Sequence, residues 1–400
     1  MKTYYSFALA LAAILMLVAC QPTDNKSTAT SPGSAETAAS KPANAPAYWH
    51  LKGQVGTLAV VMDLAYRPAG DDEFSTDMYH GSYYYSSKEN PIDLYGSVDS
   101  TGQLVLYEVT LNDDTSPTFT GSFDQEQGVF KGEWSSGDGK KKMPVELHEN
   151  YDDAVRFTTY ELEASQDLFE GKENSPYATI SKIWLQPAAG TDATLASFLK
   201  KIIHQGLVGD SLATLYPIQE KAFEELSKDY FASYRTDMGD VKEEELGPDD
   251  SFMFTYEQNA SVEVLYNQNQ LLTLGYWDYW YTGGAHGNYG TWLASYDLAA
   301  PKEITLQDVF LPGYEAKITP ALEKAVRSRF GISAKEPLSS VLFEDAIAAT
   351  ENFGLTGKGV IFNYPPYEIA AYAAGEIRLF VPYSEIKNLL QPAFAAKYVK

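Results

Sequence analysis

Cysteine is almost missing from this chain: its 400 residues hold one, Cys20. No intrachain disulfide can form, so stability has to come from buried surface, which a chain of this length can supply in two or three domains. Basic residues are also scarce, with 30 Lys and Arg against 54 Asp and Glu and a net charge of −24. That balance argues against nucleic acid, and against anionic lipid bound through basic patches; it suits a basic protein partner. Five histidines, His50, His80, His148, His204 and His286, stand singly. With no His-Glu-x-x-His string and no second cysteine, the pattern predicts no metal. No glycine-rich strand-to-helix loop for phosphates is present either, and no cofactor is expected. Past the first twenty residues there is no further long apolar run, so no spanning helix is expected in the mature chain.

What is there begins with an address. Lys2 is followed by an apolar run from Phe7 to Val18 that ends in Leu17-Val18-Ala19-Cys20. The run is too short for a membrane span and has the layout of a secretory signal over residues 1–19. Small residues just before a cysteine resemble the lipobox of bacterial lipoproteins, which implies cleavage before Cys20 and a lipid on it. Loss of Lys2 with residues 1–19 takes the net charge from −24 to −25. The expected location is the cell envelope, lipid-anchored and extracytoplasmic, at the outer membrane or the periplasmic face; Gln21 after the cysteine permits outer-membrane sorting under the enterobacterial rule. Residues 21–47 carry no aromatic residue and no Leu, Ile, Val or Met, so they read as a disordered tether. As a flexible coil it spans roughly 30 Å.

From Tyr48 to about residue 152 short β-rich runs alternate with Gly, Asn, Asp, Ser and Pro clusters. In the run from Leu104 to Val109, alternation puts Leu104, Leu106 and Glu108 on one face and Val105, Tyr107 and Val109 on the other. Seven or eight such strands predict an all-β domain, an antiparallel meander or small barrel whose closure would remove exposed edges. A small apolar ligand inside it is one functional reading. Beyond it the pattern turns to α+β, with helices packed on an antiparallel sheet. One helix is expected from an Asp192 or Thr191 cap to a stop at Gly206, with Leu195, Phe198, Leu199, Ile202 and Ile203 on one stripe. A second carries Phe223, Leu226, Tyr230 and Tyr234. A hairpin turning at Asn267–Gln270 follows, then a helix around residues 318–330, a last strand pair and a final helix from Ser384.

The string Gly209-Asp210-Ser211-Leu212 matches the signature of a serine-hydrolase superfamily. It follows a helix rather than a strand, however, and the sole Asp-x-x-His, Asp77 to His80, lies upstream, the reverse of that family's order. It reads as a turn, and no catalytic residues are assigned. The densest feature is Tyr276-Trp277-Asp278-Tyr279-Trp280-Tyr281, followed by Thr282-Gly283-Gly284-Ala285-His286-Gly287-Asn288-Tyr289. Period-two alternation puts Tyr276, Asp278 and Trp280 on one face and Trp277, Tyr279 and Tyr281 on the other. Most rings are expected in packed layers, and His286 is expected to donate within the turn. An open face would instead offer rings for stacking on sugars or anchoring a protein. The candidate binding residues are therefore Tyr276, Trp277, Tyr279, Trp280, Tyr281, His286, Asn288 and Tyr289.

The segment from Tyr279 to Leu298, with Glu303 to Phe310 and Asn352 to Leu390, resembles a domain of unknown function found in bacterial envelope proteins. Relatives include the extracellular lysozyme-binding region of RsiV-like anti-sigma factors and the non-catalytic N-terminal part of a peptidoglycan deacetylase. The resemblance implies a companion α+β domain at 153–265 and an RsiV-like domain at 266–400. It implies a recognition role with a lysozyme-like protein or peptidoglycan as partner. An envelope hydrolase using His286 remains the alternative.

Overall fold

The computed structural model describes residues 45–68, 77–110, 115–172, 174–246 and 251–399. The expected signal sequence, the expected lipidation site Cys20 and nearly all of the expected tether lie outside the described residues.

Eight strands run in chain order: β1 (Ala47–Val55), β2 (Leu58–Arg67), β3 (Met78–Tyr85), β4 (Ile92–Val98), β5 (Leu104–Glu108), β6 (Thr118–Asp124), β7 (Val129–Ser135) and β8 (Lys142–Glu149). Each pairs with the next, and β1 pairs antiparallel with β8, so the meander closes into a barrel. Closure removes the edges that an open sheet of this size would expose. Alternate residues point inward, among them Trp49, Leu51, Met62, Leu64, Tyr83, Leu104, Leu106, Phe119, Phe130 and Leu147, all at most 1% exposed. The barrel is filled by its own side chains, which is the usual condition of an eight-stranded barrel and works against carriage of a small apolar ligand. Glu108 lies inside as well, accepting from the Tyr83 hydroxyl at 2.6 Å and the Trp134 indole at 2.7 Å. Coiling strands this tightly needs missing side chains: Gly121 and Gly132 face each other across β6 and β7. A Cβ on either would lie 2.2–2.3 Å from a carbonyl oxygen of the opposite strand.

The second part is a six-stranded sheet in the order β14-β13-β12-β11-β10-β9. Its strands are β9 (Phe157–Asp167), β10 (Tyr177–Pro187), β11 (Tyr256–Gln268), β12 (Leu271–Thr282), β13 (Asn288–Asp297) and β14 (Lys302–Glu303). Both the segment before residue 265 and the segment after it contribute strands, so they share one sheet. The sheet is mixed rather than purely antiparallel: β10 and β11 are parallel. A parallel junction needs a crossover, and α1 (Ala193–Val208), α2 (Asp210–Leu215) and α3 (Gln219–Asp237) supply it. These helices cover one face, packing Leu199, Ile203, Leu207 and Phe223 on Ile180, Trp184, Val262, Leu274 and Tyr276. The other face is covered by the barrel and by a three-stranded sheet of β15 (Phe353–Leu355), β16 (Gly359–Tyr364) and β17 (Ile377–Pro382). Outside that small sheet lies α5 (Glu315–Phe330), with Ile318, Leu322 and Val326 buried; α4 (Leu306–Val309) precedes it. The expected final helix is split into α6 (Tyr383–Ile386) and α7 (Pro392–Tyr398).

The barrel keeps its own interior core, and its outer face packs into the core of the α+β region through Tyr48, Val61 and Tyr84. Tyr84 of β3 stacks on Tyr266 of β11 at 5.5 Å, both rings fully buried. The outward row of the barrel, His50, Asp63 and Ser82, is buried rather than solvated. Asp63 is held by the His50 Nδ1 at 2.7 Å and the Tyr48 hydroxyl at 2.6 Å, as a buried carboxylate requires.

The helix expected to stop at Gly206 runs on to Val208, and Gly209, at φ 83°, forms the C-cap. Asp192 caps the start, accepting from the Thr194 and Leu195 amides. Gly206 is needed for close approach instead: a Cβ there would lie 2.1 Å from the Tyr276 ring. That ring is fixed, with its hydroxyl bonded to Tyr296 at 2.9 Å. Gly206→Ala is therefore expected to destabilise the fold by about 1–3 kcal/mol through overpacking, despite the helix propensity of alanine. Denaturant unfolding measures this, and in a Tyr276→Ala background the same change should become neutral or stabilising.

Candidate binding cleft and aromatic apron

The aromatic strand divides as its alternation dictates. On the helix side Tyr276 is buried and bonded to Tyr296, while Trp280 emerges beyond the helices at 44% exposure. Between them Asp278 lies 3.8 Å from the buried Lys182 ammonium. The small Ala260 of β11 separates the two strands and leaves Lys182 room to reach across. Burial lowers the Lys182 pKa against the opposing pull of Asp278, and burial likewise raises the Asp278 carboxyl.

On the other side the rings form an apron at the end of the three-stranded sheet. Trp277 and Tyr279 stack at 6.1 Å and 11°. Tyr289 pairs across strands with Tyr279 and meets Tyr372 edge-on at 6.0 Å. Tyr367 packs on Tyr372 at 5.4 Å and is half exposed. His286 stacks on the same Tyr372 ring at 4.1 Å. Its Nδ1 bonds the Gly287 carbonyl at 2.8 Å, which also accepts from the Tyr372 hydroxyl at 2.7 Å. Among the described residues no carboxylate is hydrogen-bonded to His286. The Tyr281 hydroxyl donates to the Gly284 carbonyl at 3.0 Å and fastens the same turn. Asn288 pairs with Trp280 at the start of β13. Of the eight residues predicted from sequence, Trp277, Tyr279, His286 and Tyr289 come together on this face. Tyr276 and Trp280 lie on the opposite one, and Tyr281 and Asn288 frame the turn.

Tyr289 also lines a cleft of about 610 Å³ at the seam between barrel and α+β region. One wall is Asn90, Asp93, Val109 and Thr110 of the barrel; the other includes Arg329, Glu376, Arg378 and Phe380. Arg378 spans the seam, with Nη1 on Asp93 at 2.7 Å and Nη2 on Glu376 at 3.5 Å. Burial works against its charge, but Asp93, Glu376 and Glu263 more than offset that, and its pKa is raised. Glu376 is further held by the Thr291 hydroxyl at 2.8 Å and the Asn363 amide at 3.2 Å. Glu263 of β11 faces the same cluster. Burial pushes its pKa up to about 7; Arg378 opposes the shift while Asp93 and Glu376 add to it.

Arg329, Glu376, Arg378 and Tyr372 gave no local signal in the sequence, because they reach the cleft and the apron from distant segments. Glu263 did give one, as a lone acid in Ser261-Val262-Glu263-Val264-Leu265-Tyr266, and so did Lys182 in Ile180-Ser181-Lys182-Ile183-Trp184. A second groove, of about 550 Å³, opens between α1, α2 and α3 and is lined by Lys200, Lys201, His204 and Glu220. The turn and first residues of Gly209-Asp210-Ser211-Leu212 form the start of α2, with Ser211 exposed. Among the described residues no group of three or more His, Cys, Asp or Glu could hold a metal.

The raised Glu263 pKa carries a sign. Between about pH 4.5 and 7 the folded chain binds more protons at this site than the unfolded chain, so its contribution to stability falls as pH rises through that window. Glu263→Gln is expected to stabilise the protein by about 1–3 kcal/mol at pH 8 and to change little at pH 4. Urea unfolding at the two pH values decides it; an equal effect at both would remove the ionisation argument.

Comparison with known proteins places this geometry. A family model described as a protein of unknown function (DUF3298) matches residues 307–384, and one described as Deacetylase PdaC matches residues 169–289. Both matches lie C-terminal to the barrel. No curated protein matches the chain. Among solved structures, a DUF3298 family member from Bacteroides fragilis is similar at 25% identity and TM-score 0.54, covering 63% of this chain and 99% of its own. A DUF3298 family protein from Pseudomonas aeruginosa aligns at 20% identity and TM-score 0.42, covering 61% of this chain and 97% of its own.

Proposed function

We propose that this chain, whose C-terminal region resembles the DUF3298 and PdaC families, is a non-enzymatic recognition protein of the bacterial envelope that binds peptidoglycan. It is held to the membrane by a lipid on Cys20, and the tether carries the folded part away from the bilayer. The observation that carries the reading is the continuity of the apron with the cleft: Trp277, Tyr279, Tyr372 and Tyr289 lead to Arg329 and Arg378. Aromatic faces suit sugar rings, because they offer large contact area at low cost in rotamer entropy. A cleft of this size suits a ligand of a few sugar or amino-acid units. His286 supports binding more than chemistry, since its Nδ1 is committed to the Gly287 carbonyl and its ring to Tyr372.

A second reading, a lysozyme-like basic protein as partner, is supported by the net charge of −24, which would steer a cation toward the chain. Co-sedimentation of the full chain with purified cell-wall sacculi tests the first. The protein should pellet with the sacculi, and Tyr279→Ala or Tyr367→Ala should weaken binding about tenfold while circular dichroism stays unchanged. Failure of the wild-type chain to pellet would reject peptidoglycan as its ligand. A salt-sensitive complex with lysozyme in calorimetry would then favour the second reading.

A further inference from the structure

The donors of the seam cleft are not all paired in place. Asp93 is engaged by Arg378, and Glu376 by Arg378, Thr291 and Asn363. Burial keeps Glu263 largely neutral below pH 7. Two cationic groups remain incompletely used. The Arg378 Nε is buried and has no hydrogen-bond partner. Arg329, in the last turn of α5, is partly buried against the cleft and has no hydrogen bond or ion pair among the described residues. Its neighbour Arg327 turns the other way and is spent on the Ser333 and Glu336 carbonyls at 2.6 and 2.7 Å. Burial holds the Arg329 guanidinium below its ordinary pKa, with Asp93 opposing only through space. A partly buried guanidinium with no hydrogen bond or ion pair is costly, and an anionic ligand relieves that cost.

We infer that the seam cleft is a carboxylate-binding site, with Arg329 as the group that pairs with the ligand. This rests on the recognition reading above and assigns the ligand its charge: the cleft takes a carboxylate of a peptidoglycan stem peptide while sugars lie on the apron. The class of anion follows from the surroundings. Asp93 and Glu376 flank the cleft, so a dianionic phosphate would meet repulsion from both, whereas a single carboxylate can pair with the guanidinium fork. The barrel wall contributes Asn90 and Thr110, and Leu265, Ile361 and Phe380 provide apolar surface for the ligand's body.

Calorimetric titration of the full chain separates this inference from the reading it rests on. The probes are a disaccharide-tetrapeptide muropeptide, the same compound with its carboxyls amidated, and chitobiose. The acid form should bind at least about tenfold more tightly than the amide. Arg329→Gln should remove that difference, so that the acid binds no more tightly than the amide. Equal binding of acid and amide by the wild-type chain would overturn the carboxylate site while leaving recognition intact, and that comparison needs no variant to fold. A wild-type preference for the acid that survives in Arg329→Gln would overturn the assignment to Arg329. No binding of any probe would reject the recognition reading, and the carboxylate site with it.

Discussion

Arg378 is the residue through which the two halves of this molecule meet. It rises from β17, reaches Asp93 on the barrel's fourth strand, and keeps Glu376, the residue just before its own strand, within range. Glu376 in turn fixes Thr291 on β13, so one guanidinium connects the barrel, the three-stranded sheet and the six-stranded sheet. A buried ion pair of this kind gives weak net stability, because desolvation offsets most of its Coulomb energy. Breaking one side is a different matter, since it strands a charge in the seam. The barrel is therefore docked in one register. The apolar half of that docking is the Tyr84–Tyr266 stack, while Arg378 and Asp93 themselves line the cleft.

Docking also explains why the barrel's outer wall carries polar residues that never see water. His50, Asp63 and Ser82 lie in one cross-strand row and are buried against β11. Their alternation is that of a solvated face, and nothing in a single strand distinguishes water from a second sheet. The barrel reads correctly from sequence because hairpin strands and turns are local, while its docking depends on contacts between residues far apart in the chain. The same limit applied to Gly206. A glycine near the end of an apolar stripe is a reasonable stop signal, but here it makes way for a ring from β12.

The aromatic run illustrates both sides of that limit. Its alternation was legible, and Tyr276 does turn to the helices while Trp277 and Tyr279 turn away. Which face stays open depended on Tyr372 and the end of the three-stranded sheet, contributed by residues about ninety positions later. The lone Glu263 in an apolar strand was the available hint that the far face carries charge. The arginines opposite it had no such mark, since Arg329 sits at a helix C-terminus where a basic residue is ordinary. The parallel β10–β11 junction was likewise hidden, because a helical excursion between strands permits either direction.

The central claim is that ligand binds at the seam, across the apron and the arginine cleft. Hydrogen exchange of the full chain with and without a muropeptide tests it most directly. Exchange should slow in residues 90–93, 287–291 and 372–380, with the helical groove around residues 197–220 unchanged. Slowing confined to that groove, or to the outer wall of the barrel away from β4, would contradict it.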